Sequence, residues 1–166
     1  NSGPGTGSLT RPKVSKNTIA VANSENIRTE ILGTGADNLD DLRSSSSRGP
    51  TADGRIKPDI TAPGTAIAGS RAGTGGSVSG QSDANHSFSS GTSHAAPQVA
   101  GAAALFTQYW KNTNSGEYPR PSLIKAAIIN TGREMNGLTT NTLTIPNGNE
   151  GWGLITVKSM LNTGVA

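Results

Sequence analysis

The sequence predicts an α/β domain. Three observations carry that expectation: short β-branched runs fall in its first half, two helical stretches rich in Ala and Ile fall in its second, and Gly, Pro and small polar residues punctuate the space between. Residues 1–7 (NSGPGTG) read as a glycine-rich loop. Residues 18–22 (TIAVA) are a β-branched run expected as a buried strand, with the polar residues 23–26 as its exit. Ile31 and Leu32 are positioned to start another short strand. Residues 44–50 (SSSSRGP) form serine-rich turn or coil, and Asp53-Gly54 is a turn signal. Residues 56–61 contain Pro58, which has no amide for a ladder, so an edge or irregular strand is expected there. Residues 67–72 follow as a further strand, and residues 73–79 (GTGGSVS) as a loop.

The clearest helix is expected from Ser93 to Tyr109. Pro97 is compatible with a helix in its first turn, where amides lack intrahelical acceptors. Gly101 and the surrounding alanines imply close approach by another backbone. A second helix is signalled by Pro121 at its start and the spacing of Leu123, Ile124, Ala127 and Ile128, stopping at Gly132. A short helix over residues 157–161 ends the pattern.

Composition removes several classes of function. At 166 residues the chain is long enough for a core, yet only 32% of it is hydrophobic and 15% charged, so small polar residues and 22 glycines make up a loop-rich scaffold. The net charge of +3 is scattered and aromatics are few, which argues against nucleic acid as a partner. The absence of Cys excludes disulfides and thiol catalysis. The longest apolar run, residues 99–106, is less than half a membrane span. Residues 73–76 (GTGG) lack the Lys and hydroxyl of a nucleotide-binding loop.

Ser93 is the chemical focus. Gly91-Thr92-Ser93 lies at the turn into the Ala-rich helix, where unsatisfied amides and the positive end of the helix dipole suit a developing anion. On the local pattern alone, Ser93 reads first as a helix N-cap. His94 is its neighbour, and adjacent side chains on a helix diverge. His86 reads as a loop or surface residue.

The segment GTSHAAPQVAG resembles the nucleophile motif of subtilisin-like serine proteases. SSSSRGPTADGRIKPDITAPG resembles the region that precedes it in that family, NSGPGTG the oxyanion loop, KNTIAVANSEN the following core strand, and PNGNEGWGLITVKSML the closing segment. The matches run from residue 1 to about residue 162 in the family's order, and their density is most similar to the larger bacterial alkaline proteases.

The resemblance implies that residues 1–166 are the C-terminal portion of a three-layer catalytic domain with a mostly parallel sheet. Its activity would be that of an endopeptidase working through an acyl-enzyme. Ser93 would be the nucleophile, Asn1 the side-chain oxyanion donor beside the Ser93 amide, and Gly91 and Thr92 the shapers of the adjoining backbone. The catalytic Asp and His of the family precede these motifs, so an N-terminal segment is the expected partner and the isolated chain is expected to be inactive; a noncatalytic binding or structural fragment is the alternative. His94 departs from the family's usual Met and is a candidate modulator. Asp59 is expected to satisfy backbone donors or a basic neighbour, and Arg48 and Lys57 to be structural or surface groups. No organic cofactor is implied. Structural calcium is, with Asp37, Asp40, Asp41 and Asp83 as possible oxygen donors but no assigned ligand. A protein or peptide substrate and a secreted location complete the expectation.

Overall fold

The computed structural model describes residues 1–31, 33–71, 85–137 and 144–162. In chain order the elements are β1 (Val21–Ser24), β2 (Ile60–Pro63), β3 (Ile67–Ser70), β4 (His86–Ser89), α1 (Thr92–Thr113), α2 (Pro121–Asn130) and α3 (Val157–Asn162). β1 and β2 are parallel, with Val21 opposite Ile60 and Asn23 opposite Ala62. β3 and β4 are antiparallel, with Ile67 opposite Ser89 and Ser70 opposite His86.

Strand alternation decides which face each residue covers. Val21, Ile60 and Ala62 pack with Val99 and Phe106 of α1, Ile128 of α2 and Met160 of α3, while Ala22 turns to the opposite face beside Leu42, Met135 and Leu154. Ala95, Val99, Ala102 and Phe106 recur at helical spacing and form the buried stripe of α1. Phe106 and Ile128 are almost fully enclosed, so truncating the ring of Phe106 to Ala should cost about 3–5 kcal/mol.

The expected three-layer fold with a mostly parallel sheet is therefore corrected. Among the described residues there are two separate two-stranded sheets, one parallel and one antiparallel. The three helices share a cluster on one face of β1–β2, and the other face is covered by residues from connecting segments. A larger parallel sheet needs further crossover-linked strands. These residues supply one such pair, and β3 is joined to β4 by a connection that returns it antiparallel.

Single elements also differ from expectation. The first strand lies later than residues 18–22 and includes Asn23 and Ser24, both fully buried. Ile31 packs with Ala36 and Ala66 rather than in a strand, and Leu32 lies outside the described residues. β2 begins after Pro58 and is no edge: β1 flanks one side and Leu154 bridges Thr61 on the other, with Ile60 buried. β4 had no strong period-two signal. α1 starts at Thr92, which puts Pro97 beyond its first turn, so the Ser93 carbonyl lacks the amide it would otherwise accept from. α2 carries Pro121 at its start as expected and stops at Asn130. The loop read over residues 73–79 lies outside the described residues.

Asp59 lies just ahead of β2 in a polar cluster. Its Oδ2 accepts from the Ala20 amide at 2.7 Å and from Lys57 Nζ at 2.5 Å, and its Oδ1 lies 3.0 Å from Lys125 Nζ. Lys57 also donates to the Thr18 carbonyl at 2.8 Å. The cluster ties the entry of β1, the entry of β2 and α2 together, in keeping with the structural role expected of Asp59 and Lys57.

Candidate active site

Two strand ends and one helix start build the site. After β2 the chain turns at Gly64, whose carbonyl accepts from the Gly91 amide at 2.8 Å. A Cβ on Gly64 would lie 2.6 Å from the Gly91 carbonyl oxygen and 2.9 Å from the Ala95 nitrogen, so only Gly lets the helix start approach this closely. Gly91 adopts φ 157° and ψ 165°, a region essentially restricted to Gly. Gly91 is the N-cap, and Ser93 is the second residue inside α1. The N-cap role expected of Ser93 on the local pattern thus falls to Gly91.

Asn1 reaches the same turn from the glycine-rich loop. Its Oδ1 accepts from the Thr92 amide at 3.1 Å and from Thr92 Oγ1 at 2.7 Å. With its oxygen held by Thr92, the carboxamide presents Nδ2 beside Gly91: a Cβ on Gly91 would lie 3.4 Å from Asn1 Nδ2 and 3.8 Å from the Ser93 nitrogen. Two N–H donors therefore border one space that the missing side chain of Gly91 leaves open. The Ser93 amide belongs to the first turn of a 22-residue helix, so it has no intrahelical acceptor and sits at the positive end of the dipole. Ser93 is exposed. This arrangement suits a small oxyanion generated next to the Ser93 hydroxyl.

The loop carrying Asn1 is fixed by the serine-rich segment. The Ser2 amide donates to Ser47 Oγ at 2.9 Å and the Gly3 amide to the Ser45 carbonyl at 3.2 Å. Ser46 Oγ accepts from the Asn23 amide at 3.0 Å. Sequence reasoning marked this segment only as coil and missed the Thr92–Asn1 contact. The run of four serines, all able to bond backbone amides, was the available signal.

The histidines stand apart. His94 is half-buried on α1, and His86 is exposed at the start of β4. Among the described residues no hydrogen bond joins either ring to Ser93.

Elsewhere, Glu25, Asp37 and Asp41 each bring a carboxylate oxygen within 4.8 Å of the others. Burial, then the charges of Asp37 and Asp41, hold the Glu25 carboxyl above the usual carboxylate range, against Arg43. Three hard oxygen donors fit calcium better than a soft metal. Of the other expected donors, Asp40 pairs with Arg133 at 2.5 Å, and Asp83 lies outside the described residues.

Residues 1–153 match the Subtilase family. The chain belongs to that family. This subtilase chain is 38% identical over 115 residues to the serine protease/ABC transporter B family protein tagB of Dictyostelium discoideum, covering 60% of the chain and 6% of that relative. It is 37% identical over 107 residues to the CO(2)-response secreted protease of Arabidopsis thaliana, covering 58% of the chain and 13% of that protein. Among solved structures, the CspB protease of Clostridium perfringens superposes with a TM-score of 0.67 at 25% identity, over 95% of this chain and 29% of the other. The subtilase chain thus spans a small part of the length of these relatives.

Proposed function

We propose that this chain carries the nucleophile and the oxyanion donors of a serine endopeptidase. The observation behind this reading is the convergence of Asn1 Nδ2 and the Ser93 amide on one space beside Gly91, next to an exposed serine hydroxyl. Ser93 Oγ attacks the peptide carbonyl, and its proton passes to a histidine in a preceding segment of the polypeptide, which an aspartate orients. The carbonyl oxygen, now negative, enters the space between Asn1 Nδ2 and the Ser93 amide. The histidine returns the proton to the leaving amine, giving an acyl-Ser93 ester that water hydrolyses. Gly91 keeps the space open, and Thr92 holds the Asn1 carboxamide.

A preceding segment is also supported by surface chemistry. Ala96, Ala100, Gly101 and Ala104 lie exposed on α1, and a groove of about 370 Å³ lined by Ile19, Val21, Ala103 and Ile124 runs beside them. Small and apolar groups in that arrangement suit packing against more polypeptide. Alone, the chain is expected to be inactive. The substrate is protein or peptide. A secreted location is supported by the secreted relative. Structural calcium belongs to the same reading, with Glu25, Asp37 and Asp41 as the residues that would hold it.

Reaction of the full-length polypeptide with a fluorophosphonate, followed by peptide mapping, tests the reading. Labelling is expected at Ser93 and is lost in Ser93→Ala. A folded full-length protein that takes no label at Ser93 would overturn it in favour of a noncatalytic binding fragment.

A further inference from the structure

Asn23 breaks the rule of a buried strand. It is the third residue of β1, wholly enclosed, at a position where an apolar side chain would spare the cost of burying an amide. Its backbone is satisfied, donating to Ser46 Oγ and accepting from the Arg43 amide. Its side chain is only half satisfied: Oδ1 lies 3.4 Å from the Thr65 hydroxyl, and Nδ2 is buried without an acceptor. Local violations of this kind are retained where function needs them.

Its location says what the violation serves. The point where a Cβ on Gly64 would sit is 2.5 Å from Asn23 Oδ1, 2.6 Å from the Gly91 carbonyl oxygen and 2.9 Å from the Ala95 nitrogen. The Asn23 oxygen therefore lies beneath the first turn of α1, a partial negative charge set against the positive end of the helix. Asn1 Oδ1 engages the same turn through the Thr92 amide. Two asparagine oxygens thus bracket Gly91 and Ser93. An apolar side chain would fill the volume under the turn without its electrostatic match.

We propose that Asn23 is a positioning residue for the nucleophile turn, its buried carboxamide oxygen setting the height of Gly91–Ser93 over the ends of β1 and β2. This rests on the reading of Ser93 as the nucleophile. Because it acts through the turn, Asn23 governs turnover rather than substrate binding.

The test uses the full-length protease with Asn23→Leu, matched in shape, and Asn23→Ser, which leaves more room should Leu crowd Gly64. Each variant is measured for thermal midpoint, for kcat and KM on a chromogenic peptide, and for its rate of fluorophosphonate labelling. The expected result, in whichever variant folds, is a fall in kcat and labelling rate of about ten- to a hundredfold at unchanged KM. The midpoint of Asn23→Leu should match or exceed that of the wild type, because the unsatisfied amide is gone. Wild-type kcat per folded molecule in either variant overturns the proposal while leaving the nucleophile reading intact. Absence of labelling at Ser93 in the wild type overturns both.

Discussion

Removing the Asp59 carboxylate should destabilise the protein far more than removing a surface ion pair. The side chains of Asp59 and Lys57 are 8% and 3% exposed, and Lys125 is 24% exposed. In Asp59→Ala, Lys125 can turn to solvent. Lys57 cannot; it keeps only the Thr18 carbonyl, and the Ala20 amide loses its acceptor. Breaking a buried pair from one side costs about 3–5 kcal/mol, against roughly 0–1 kcal/mol for an exposed pair. Since a domain is stable by about 5–15 kcal/mol, the lower figure is already a large fraction. Urea unfolding of the full-length polypeptide measures it as a shift in midpoint at constant slope. The paired substitution Lys57→Met with Asp59→Leu should recover the part of the loss that comes from the stranded Lys57 charge and leave the roughly 1–3 kcal/mol of the unpaired Ala20 amide. A cost below about 1 kcal/mol for Asp59→Ala would refute the reasoning, since exposed pairs lose no more than that.

Three further outcomes follow from the site and its surroundings. On the proposed function, Asn1→Ala in the full-length polypeptide should lower kcat by about 10²–10³-fold with little change in KM, a magnitude taken from another subtilase rather than worked from this geometry; Thr92→Val, which deletes one of two bonds to Oδ1, should cost about 1 kcal/mol, or roughly fivefold in kcat. Burial holds the Glu150 carboxyl above its usual range despite bonds from Asn147 and the Met135 amide. Its folded pKa thus exceeds its unfolded one, so its contribution is full below the unfolded pKa and is lost as pH rises through the folded pKa; urea midpoints across pH should show that slope in the wild type and lose it in Glu150→Gln, with about 1 kcal/mol lost for the bond Gln cannot accept.

The helices were legible because their signals are local. Pro121 opens α2, and the stripe from Ala95 to Phe106 repeats at the helical period. The sheet was less so, for strand partners are set by contacts distant in sequence. Ile60 is central although Pro58 suggested an edge, because Pro58 lies just outside the strand, where a missing amide costs no ladder bond. The mostly parallel sheet was an expectation about a whole domain, and two parallel strands with helices on one face cannot make it alone.

The same division runs through the site, with a consequence for how its chemistry is distributed. Gly91, Thr92 and Ser93 are contiguous, so their motif could be read directly; Asn1 lies 91 positions from Thr92, and only folding brings its oxygen onto that amide. Asn23 left almost no trace, since a polar residue near a strand end reads as an exit to solvent. Yet Ser46 links β1 to the serine-rich segment while Ser47 of that segment holds the loop of Asn1, and Gly64 carries the end of β2 against the Gly91 turn. The turn that carries Ser93, the proposed nucleophile, is therefore contacted from two separate stretches of sequence, the loop of Asn1 and Gly64 after β2, and a third, the serine-rich segment, holds the loop of Asn1. A lesion in the serine-rich segment should consequently reach Ser93 through the placement of Asn1, without touching the nucleophile itself.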